Sequence, residues 1–595
     1  MSDMIDFAKR CYRFAHRHIH PEAYVDSNPF PTDLWTDSDG YAEWFAQHKT
    51  SESEINRQRS AWNAFSIKPV FSFIVPLFKT PREYLHTMAD SVLGQTYPRL
   101  QLVLVNASPG DVCLRTEVED YRHRDERVTV VELDGNLGIT ENTSRGIAAA
   151  TGDFCCFLDH DDFVEPDLLF EYVQAINEMP EIDVLYCDED LVARDDATGE
   201  FTPRHVLFKP GYSPERLLSK NYVVHLMTIR KSIIDAMPAP DTRFDGSQDY
   251  NMLLYATGAA RRVYGVQKVL YHWRISENST ATNPESKPYT LRSCRLAIEG
   301  EYRRRSIDAS IIGTGVYLLH APWFSRPSAS VSVIVCCTGD PLLDTRFVEM
   351  FLQNNSVERV ELVLVGFGGE LPDQADGCAL RCVDAAPEGV LSALESGAHQ
   401  ATGDYLVFLD ANCFFTTAEP LGQLTGLCAL EGVGVAGPKV LYRGNRNKSF
   451  GVAVTPERIM PLLRGFEDAH PAYQCKALCL GNVSAVGLQG LCTPRALFEE
   501  LGGFDESFEG EIGAVDYCKR VRDAGYRVAV TPTVKLEVDE PAPELYYVNE
   551  VNAPDYTASD LARFDAKWPG AREAGDPYFN RNLDQSSCYC QIPQE

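Results

Sequence analysis

Residues 150–159 read ATGDFCCFLD, and residues 401–410 read ATGDYLVFLD. The two stretches lie 251 residues apart, and each places a short apolar run between a Gly-Asp turn and an aspartate. A short apolar run of this kind is typical of a buried strand. An upstream pair also matches, because residues 72–75 read SFIV and residues 332–335 read SVIV. The repeats predict two copies of one structural unit.

Outward from the first repeat, apolar segments alternate with segments of helical spacing. The predicted strands are Phe71–Leu77, Leu100–Val105, Val128–Leu133 and Phe154–Leu158, and the predicted helices are Pro81–Leu93, Cys113–Arg122 and Thr140–Ala150. This alternation predicts a mainly parallel sheet covered by helices, with ligands bound at the carboxyl ends of its strands. The expected fold class is therefore α/β in both copies.

The sequence predicts four segments. A polar, helical N-terminal extension covers residues 1–68, the first copy residues 69–325, the second copy residues 329–540, and a tail residues 541–595. The two copies join near His320–Ser330, a stretch with two prolines and three serines. Such a composition is typical of a linker.

Composition excludes several classes of protein. The 595 residues include 55 Lys and Arg against 85 Asp and Glu, a net charge of −30, whereas nucleic-acid binding needs a basic surface. No apolar run approaches the ~18 residues of a membrane span, and the 18 cysteines show no framework spacing. We expect reduced core thiols and a cytoplasmic protein. The basic stretch from Lys9 to Arg17 predicts a packing helix, with peripheral membrane contact as the alternative.

The first copy continues past its repeated aspartate as Asp159-His160-Asp161-Asp162. Three carboxylates at the end of one strand repel one another unless a cation lies among them, and oxygen ligands of this kind suit Mn²⁺ or Mg²⁺. Such a cation can take up the charge of a diphosphate leaving group. The alternative is an acidic turn in which Asp162 caps the next helix, and an Asp-x-Asp motif alone does not decide between them.

The order of motifs resembles the bacterial family 2 glycosyltransferases. The segments that carry the resemblance are Val75-Pro76, Ser91–Tyr97, Gly152–Asp162, Gln248-Asp249-Tyr250, Leu270–Arg274, Ser279-Thr280 and Asp576–Asn580. The likeness covers nearly all the chain after residue 40 and is greatest to tandem, rhamnosyltransferase-like enzymes of polysaccharide assembly. It implies two GT-A domains, in which a nucleotide-diphospho-sugar binds to an α/β sheet.

The resemblance also implies a role for each matched residue. Asp249 would be the catalytic base that deprotonates the acceptor hydroxyl. The implied metal ligands are Asp159, Asp161 and His272. The implied donor-binding residues are Pro76, Asn106, Asn136, Asp159, His160 and Arg274. The acceptor-side candidates are Asp188, Glu189, Asp190 and His225.

Each implied role has a structural alternative. Asp249 could be a solvated residue at a helix start, His272 a packed core residue, and residues 188–190 an acidic loop. Two positions also depart from the family, because Asn106 replaces an acid that contacts the nucleoside and Ser144 replaces an Asn. Asn106 can still form hydrogen bonds with a base or ribose, but without charge. The identity of the nucleoside therefore stays open.

The second copy lacks parts of this set. Its strand ends in Asp410-Ala411-Asn412, so one carboxylate has become an amide, and the usual base position falls on Ala514. The segment Pro532–Val538 contains no histidine. We therefore predict a degenerate domain that serves as a scaffold, an acceptor surface or a dimerisation unit. Sugar transfer that uses Glu511 or Asp516 is the alternative.

Together these patterns predict an inverting, metal-dependent glycosyltransferase. Its donor would be dTDP-rhamnose or a UDP-sugar, and its acceptor a glycan or polyprenyl-linked glycan at the inner membrane face, in bacterial surface polysaccharide synthesis. A bifunctional transferase and a non-catalytic glycan-binding scaffold are the alternatives. Assembly into a homo-oligomer is compatible with each of these functions. A pyrophosphorylase would need a Gly-rich basic loop, which Pro76–Thr80 does not match, and a processive synthase would need membrane spans.

Overall fold

The computed structural model describes residues 40–195, 199–275, 289–315, 318–324, 329–355, 358–371, 377–384, 389–542 and 556–593. Within them the chain forms two compact units. The first comprises residues 40–212 and 221–306, and the second comprises residues 213–220 and 307–593. The basic stretch from Lys9 to Arg17 lies outside the described residues, and the four predicted segment boundaries stay predictions.

The first unit is built around one nine-stranded sheet. Its elements in chain order are α1 (Tyr41–His48), α2 (Glu52–Ala61), β1 (Phe71–Leu77), α3 (Arg82–Leu93), β2 (Leu100–Asn106), α4 (Val112–Arg124), β3 (Val128–Glu132), α5 (Ile139–Ala149), β4 (Phe154–Phe157), β5 (Phe163–Val164), α6 (Leu168–Glu178), β6 (Ile182–Arg194), β7 (Phe201–Leu207), β8 (Thr228–Arg230), α8 (Lys231–Asp235), α9 (Gln248–Ala259), β9 (Arg262–Arg274) and α10 (Tyr289–Arg304). The strand order is β3-β2-β1-β4-β8-β6-β9-β5, with β7 beside β6.

The second unit contains a ten-stranded sheet that repeats the order of the eight strands along the first one. Its elements are α7 (Pro214–Leu217), β10 (Ala309–Gly313), β11 (His320–Phe324), β12 (Val331–Cys336), α11 (Pro341–Asn354), β13 (Val360–Val365), β14 (Ala379–Val383), α12 (Gly389–Ala398), β15 (Tyr405–Asp410), β16 (Cys413–Phe415), α13 (Pro420–Cys428), β17 (Val433–Arg443), β18 (Arg446–Ser449), β19 (Val452–Val454), β20 (Ile459–Pro461), β21 (Gly481–Val483), β22 (Cys492–Pro494), α14 (Arg495–Glu500), α15 (Glu511–Asp523), β23 (Arg527–Pro541) and α16 (Ala558–Lys567). The order β14-β13-β12-β15-β22-β17-β23-β16 matches the first sheet position by position.

The matching sheets confirm the predicted α/β class and the two-copy architecture. The seven predicted strands and helices of the first copy are present, each within two residues of its predicted ends. Helix-to-sheet packing repeats as well. A side chain on Gly146 of α5 would meet Ile74 at 2.5 Å, and one on Gly397 of α12 would meet Ile334 at the same distance. Glycine at these two positions lets the helix lie directly on the sheet.

The short segment Ser213–Lys220 belongs to the second unit although it lies within the sequence of the first copy. Its Glu215 is fully buried and accepts two hydrogen bonds from Arg527, at 2.8 and 3.0 Å, and one from Asn482 at 2.6 Å. A buried carboxylate is stable only with such partners. Among the described residues, no helix combines the length and apolar character needed to cross a bilayer.

Candidate active site

The acidic turn of the first unit lies at the carboxyl end of β4, between β4 and β5. The side chain of Asp159 is 60% exposed, whereas Asp162 is fully buried. Ligand atoms of Asp159, Asp162 and His225 all lie within 4.8 Å of one another, which makes them the group in the described chain that could hold a metal ion. Asp161, the predicted second ligand, lies in the same turn. The group contains Asp162 rather than Asp161, whose role as a ligand stays a prediction.

Asp162 is the buried carboxylate of the turn, and both of its oxygens accept hydrogen bonds. The hydroxyl of Tyr271 donates to one carboxylate oxygen and the backbone amide of Arg274 to the other, at 2.9 Å. Burial, together with the charge of Asp161, raises the pKa of Asp162 well above its usual range. The alternative in which Asp162 caps a helix does not hold, because the turn leads into strand β5.

His225 is held by a buried chain of charged groups. Its Nδ1 lies 3.2 Å from Oε2 of Glu189, and its Nε2 lies 3.8 Å from Oδ2 of Asp159. Glu189 in turn accepts a hydrogen bond from Nζ of Lys209 at 2.8 Å. Burial opposes charge on both partners, yet the ammonium of Lys209 lowers the pKa of Glu189 to about 2, and the charge of Glu189 raises the pKa of His225 to about 9.

The loop that carries His225 has an unusual backbone. Val224 and Leu226, on either side of the histidine, have φ of 49° and 47°. The left-handed region costs a side chain with a Cβ about 1–3 kcal/mol, and such strain persists where the surroundings enforce it. Asn221 supports the loop by accepting from the amide of Val224 at 3.1 Å.

The same Asn221 links this loop to the predicted base. Its Nδ2 donates to Oδ2 of Asp249 at 3.1 Å, and Asp249 lies in the first turn of α9. Burial raises the pKa of Asp249, and the charge of Asp159 raises it further. Asp249 and Asp159 therefore lie within each other's electrostatic field. A carboxylate with a raised pKa accepts a proton more readily, as a general base must.

His272 lies apart from the metal cluster. Its Nδ1 contacts Asp190 at 2.6 Å and its Nε2 contacts Glu165 at 2.9 Å. Carboxylates only accept hydrogen bonds, so both ring nitrogens carry protons and neither has a lone pair for a metal. Although burial opposes it, the charges of Asp190 and Glu165 raise the pKa of His272 to about 10. His272 thus lies outside the group formed by Asp159, Asp162 and His225, and its predicted role as a metal ligand stays a prediction.

Arg274 packs against the acidic turn and donates a hydrogen bond to its backbone. Its Nε donates to the backbone oxygen of Asp161 at 2.7 Å, and its guanidinium lies 4.0 Å from the ring centroid of Tyr84 and 4.7 Å from that of Phe201. The side chain is 3% exposed. The contacts visible here are therefore with the protein, and the predicted contact with a diphosphate stays a prediction.

The remaining acceptor-side candidates are buried. Asp188, Glu189 and Asp190 lie inside β6 rather than in a loop, and each is at most 1% exposed. Asp188 accepts from the amide of Lys209 at 2.7 Å, and Asp190 accepts from the hydroxyl of Tyr41 at 2.7 Å. The contacts of these side chains are with other residues of the protein, and their predicted acceptor-side role stays a prediction.

The predicted donor-binding residues meet at the carboxyl edge of the sheet. Pro76 lies near the end of β1, His160 lies in the acidic turn, and Asn136 precedes α5, where it accepts from the amide of Gly138 at 3.0 Å. Asn106 ends β2 and is buried, and its Nδ2 donates to both carboxylate oxygens of Glu132, at 3.0 and 3.2 Å. Glu132, which the sequence analysis missed, places an exposed carboxylate at this edge.

The donor set fits a divalent cation. Two carboxylates and an imidazole are groups that Mn²⁺ and related ions accept. The negative charge crowded around Asp162 is of the kind that a cation would offset. A metal bound by Asp159, Asp162 and His225 would supply positive charge at the sheet edge where a diphosphate is expected.

The second unit keeps the frame of this site and changes its chemistry. Equivalent positions follow from the strand registers, which pair Cys156 with Thr228 in the first sheet and Val407 with Cys492 in the second. On this basis the cluster residues Asp159, Asp162 and His225 correspond to Asp410, Cys413 and Gln489. Gln489 donates to Asp410 at 3.2 Å, so a neutral contact stands where the first unit has a charged one.

The two substitute bases of the second unit are also engaged. Asp516 is buried in α15 and is bound by Arg520 at 3.0 Å and by Trp568 at 2.9 Å. Glu511 accepts from the amide of Leu488 at 2.8 Å, and Ala514 is buried. The contacts agree with the predicted loss of chemistry, which itself stays a prediction.

Sequence reasoning missed Lys209, Tyr271 and Trp273. The ring of Tyr271 stacks on His225 at 5.0 Å, and Trp273 meets it edge-on at 4.6 Å. Both aromatics lie in the segment Leu270–Arg274. Because successive side chains of a strand point to opposite faces, the sequence could have predicted that Tyr271 and Trp273 share one face and that His272 lies on the other. A lone lysine between Phe208 and Pro210 gives no comparable signal.

The fold and the site together define a class of protein: a tandem α/β protein with an acidic, cation-suited cluster at the carboxyl edge of its first sheet. Comparisons with known proteins agree. Residues 72–236 match the family model described as glycosyl transferase family 2. The matched residues include the cluster Asp159, Asp162 and His225.

Two curated relatives match most of the chain. One is the uncharacterized protein y4gI of Sinorhizobium fredii, 28% identical over 537 residues, which covers 87% of this chain and 58% of the relative. The other is the O-antigen biosynthesis protein RfbC of Myxococcus xanthus, 24% identical over 572 residues, covering 93% and 43%. The chain thus spans about half the length of these relatives.

A solved structure matches part of the chain. It is S. aureus TarS 1-349 in complex with UDP, 21% identical, covering 39% of this chain and 65% of that one with a TM-score of 0.31.

Proposed function

We propose that the first unit is an inverting, metal-dependent glycosyltransferase that moves a sugar from a nucleotide-diphosphate sugar to a glycan or lipid-linked glycan. The observation that carries the proposal is the group of Asp159, Asp162 and His225, whose loop is linked through Asn221 to the carboxylate of Asp249. The O-antigen name of the Myxococcus relative supports assembly of a bacterial surface polysaccharide as the setting.

The residues divide the chemistry between them. Asp249 takes the proton from the acceptor hydroxyl as its oxygen attacks, and Asn221 orients the carboxylate for this step. Asp159, Asp162 and His225 would hold the divalent cation, Mn²⁺ or Mg²⁺, and the bound cation would offset the negative charge of the leaving diphosphate. One carboxylate acting as base without a second nucleophile fits a single displacement with inversion at the sugar carbon.

The donor and the setting belong to the same proposal. The exposed carboxylate of Glu132, which the buried amide of Asn106 orients, offers hydrogen bonds to a nucleobase or ribose at the end of β2. We favour dTDP-rhamnose or a UDP-sugar as donor. The protein would act in the cytoplasm, against the inner membrane face where the acceptor is lipid-linked.

Hydrolysis of a panel of nucleotide sugars, with and without Mn²⁺, tests this proposal. We expect hydrolysis of one donor that stops on addition of EDTA and returns with Mn²⁺. Asp162→Asn should slow it at least about tenfold, because a ligand of the cation is lost. The control is Asp235→Asn, an exposed aspartate of the same unit that pairs with Lys231. Equal hydrolysis before and after EDTA would rule out the metal role.

A further inference from the structure

We infer that Lys209 is a positioning residue for the metal cluster: through Glu189 it fixes the His225 imidazole with Nε2 directed at Asp159. The inference rests on the proposed function, because it takes His225 as a ligand of the cation. Lys209 lies remote in sequence from the acidic turn and outside every motif that suggested the family.

The chain of contacts runs through buried side chains. Lys209 and Glu189 are 1% and 0% exposed. The ammonium of Lys209 donates to Oε2 of Glu189 at 2.8 Å and to the backbone oxygen of Val223 at 2.5 Å. The second contact ties the same ammonium to the loop that carries His225. Lys209 therefore holds both the carboxylate and the backbone on which the histidine depends.

Glu189 determines which nitrogen of His225 faces the cluster. A carboxylate can only accept, so Nδ1 of His225, 3.2 Å from Oε2 of Glu189, must carry a proton. The other nitrogen, Nε2, is then the one that faces Asp159 at 3.8 Å. An imidazole with a protonated Nδ1 presents the Nε2 lone pair to a metal, and a carboxylate behind a histidine ligand is a recurrent way to set this arrangement.

Three further features fix the plane of the ring. Tyr271 stacks on His225 with 1° between the planes, and Trp273 packs against its edge. The strained backbone of Val224 and Leu226 brackets it. These contacts hold the ring in its plane, while Lys209 and Glu189 set which ring nitrogen carries the proton and which one faces the cluster.

The second unit provides an internal comparison. Its registers pair Val440 with Leu536 where the first unit pairs Glu189 with Tyr271, and Gln489 takes the position of His225. The carboxylate, the stacking ring and the imidazole are thus all replaced in the copy that also lacks the buried acid of the cluster. The positioning chain and the complete cluster occur together in the first unit.

Mn²⁺ titration of the full-length protein without donor or acceptor tests the inference independently of turnover. We expect Lys209→Met to weaken Mn²⁺ affinity about 10–100-fold, the range for residues behind a metal ligand, and Lys209→Arg to restore part of it. The matched control is Lys231→Met, which removes a lysine from the partly exposed pair with Asp235. Unchanged affinity in a folded Lys209→Met protein would overturn the inference.

Two more variants make each outcome informative. If Lys209→Met does not fold, Glu189→Gln keeps the shape of the partner and should weaken Mn²⁺ binding to a similar extent, and unchanged binding would again overturn the inference. Asp162→Asn separates the two proposals. Lost binding in Asp162→Asn with normal binding in Lys209→Met rejects the positioning role alone, whereas normal binding in Asp162→Asn rejects the metal site itself.

Discussion

The role proposed for Asp249 depends on a carboxylate oxygen that can take a proton. Asp249→Asn keeps the size of the side chain and can still accept from Asn221, but it cannot take a proton. We expect kcat for transfer to fall by about 10²–10⁴, the usual contribution of a general base, with nucleotide binding nearly unchanged. Transfer assays and titration calorimetry measure the two quantities separately. Undiminished transfer by the variant would show that Asp249 is not the base.

Glu132 is the second residue whose charge we expect to matter. Its carboxylate is exposed at the edge of the sheet and is oriented by the buried amide of Asn106. A hydrogen bond to a charged group contributes about 1.5–3 kcal/mol, so Glu132→Gln should weaken binding of the preferred nucleoside diphosphate about tenfold or more. Mn²⁺ affinity should not change. Equal calorimetric affinities for the nucleotide in the variant and the wild type would contradict the role.

At the scale of elements, β9 shows what sequence could and could not predict. The motif Leu270–Arg274 lies at the end of this strand, but a motif does not say which side chain faces the site. The register that pairs Phe163 with His272 and Val164 with Tyr271 decides it. Successive side chains of a strand point to opposite faces, so Tyr271 contacts His225 while His272 lies behind the sheet with Asp190.

The strands and helices themselves were predictable because apolar runs and turn residues are local signals. The repeat predicted the second sheet from the first for the same reason. The chain Lys209–Glu189–His225 was not predictable, since it joins three segments through burial and register. Its members lie 20 and 36 residues apart, and nothing in the sequence near Lys209 marks it as a charged residue of the interior.

Helix α1 supports β9 from behind. The hydroxyl of Tyr41 donates to the buried Asp190, which holds His272, and Phe45 packs against the His272 ring at 5.5 Å. Tyr41→Phe removes a hydrogen bond to a buried charge, worth about 1.5–3 kcal/mol. We expect the first unit to melt about 3–12 °C lower by calorimetry. Tyr289→Phe, at a 52% exposed position, is the control and should leave Tm unchanged.

At the scale of the whole molecule, two equivalent sheets carry unequal sites. Asp159 and Asp410 end equivalent strands 251 residues apart, but their partners differ. Asp159 faces the imidazole of His225 and a second acid, whereas Asp410 faces the amide of Gln489. Burial raises the pKa of Asp410, so its charge is already disfavoured. Aspartates at equivalent positions therefore have an imidazole and a second acid as neighbours in one unit and an amide in the other.

The chain thus contains its own matched control for the proposal that only the first unit is catalytic. Asp159→Ala should abolish transfer, because the cation loses a ligand and the leaving diphosphate loses its compensating charge. Asp410→Ala should leave transfer nearly intact, because the equivalent positions hold the buried thiol of Cys413 and the neutral amide of Gln489 in place of a carboxylate and an imidazole. Product analysis and Mn²⁺ stoichiometry measure both effects, and we expect one metal per chain in the wild type and in Asp410→Ala. Loss of one of two distinct products in Asp410→Ala would instead establish a bifunctional transferase with a working second unit.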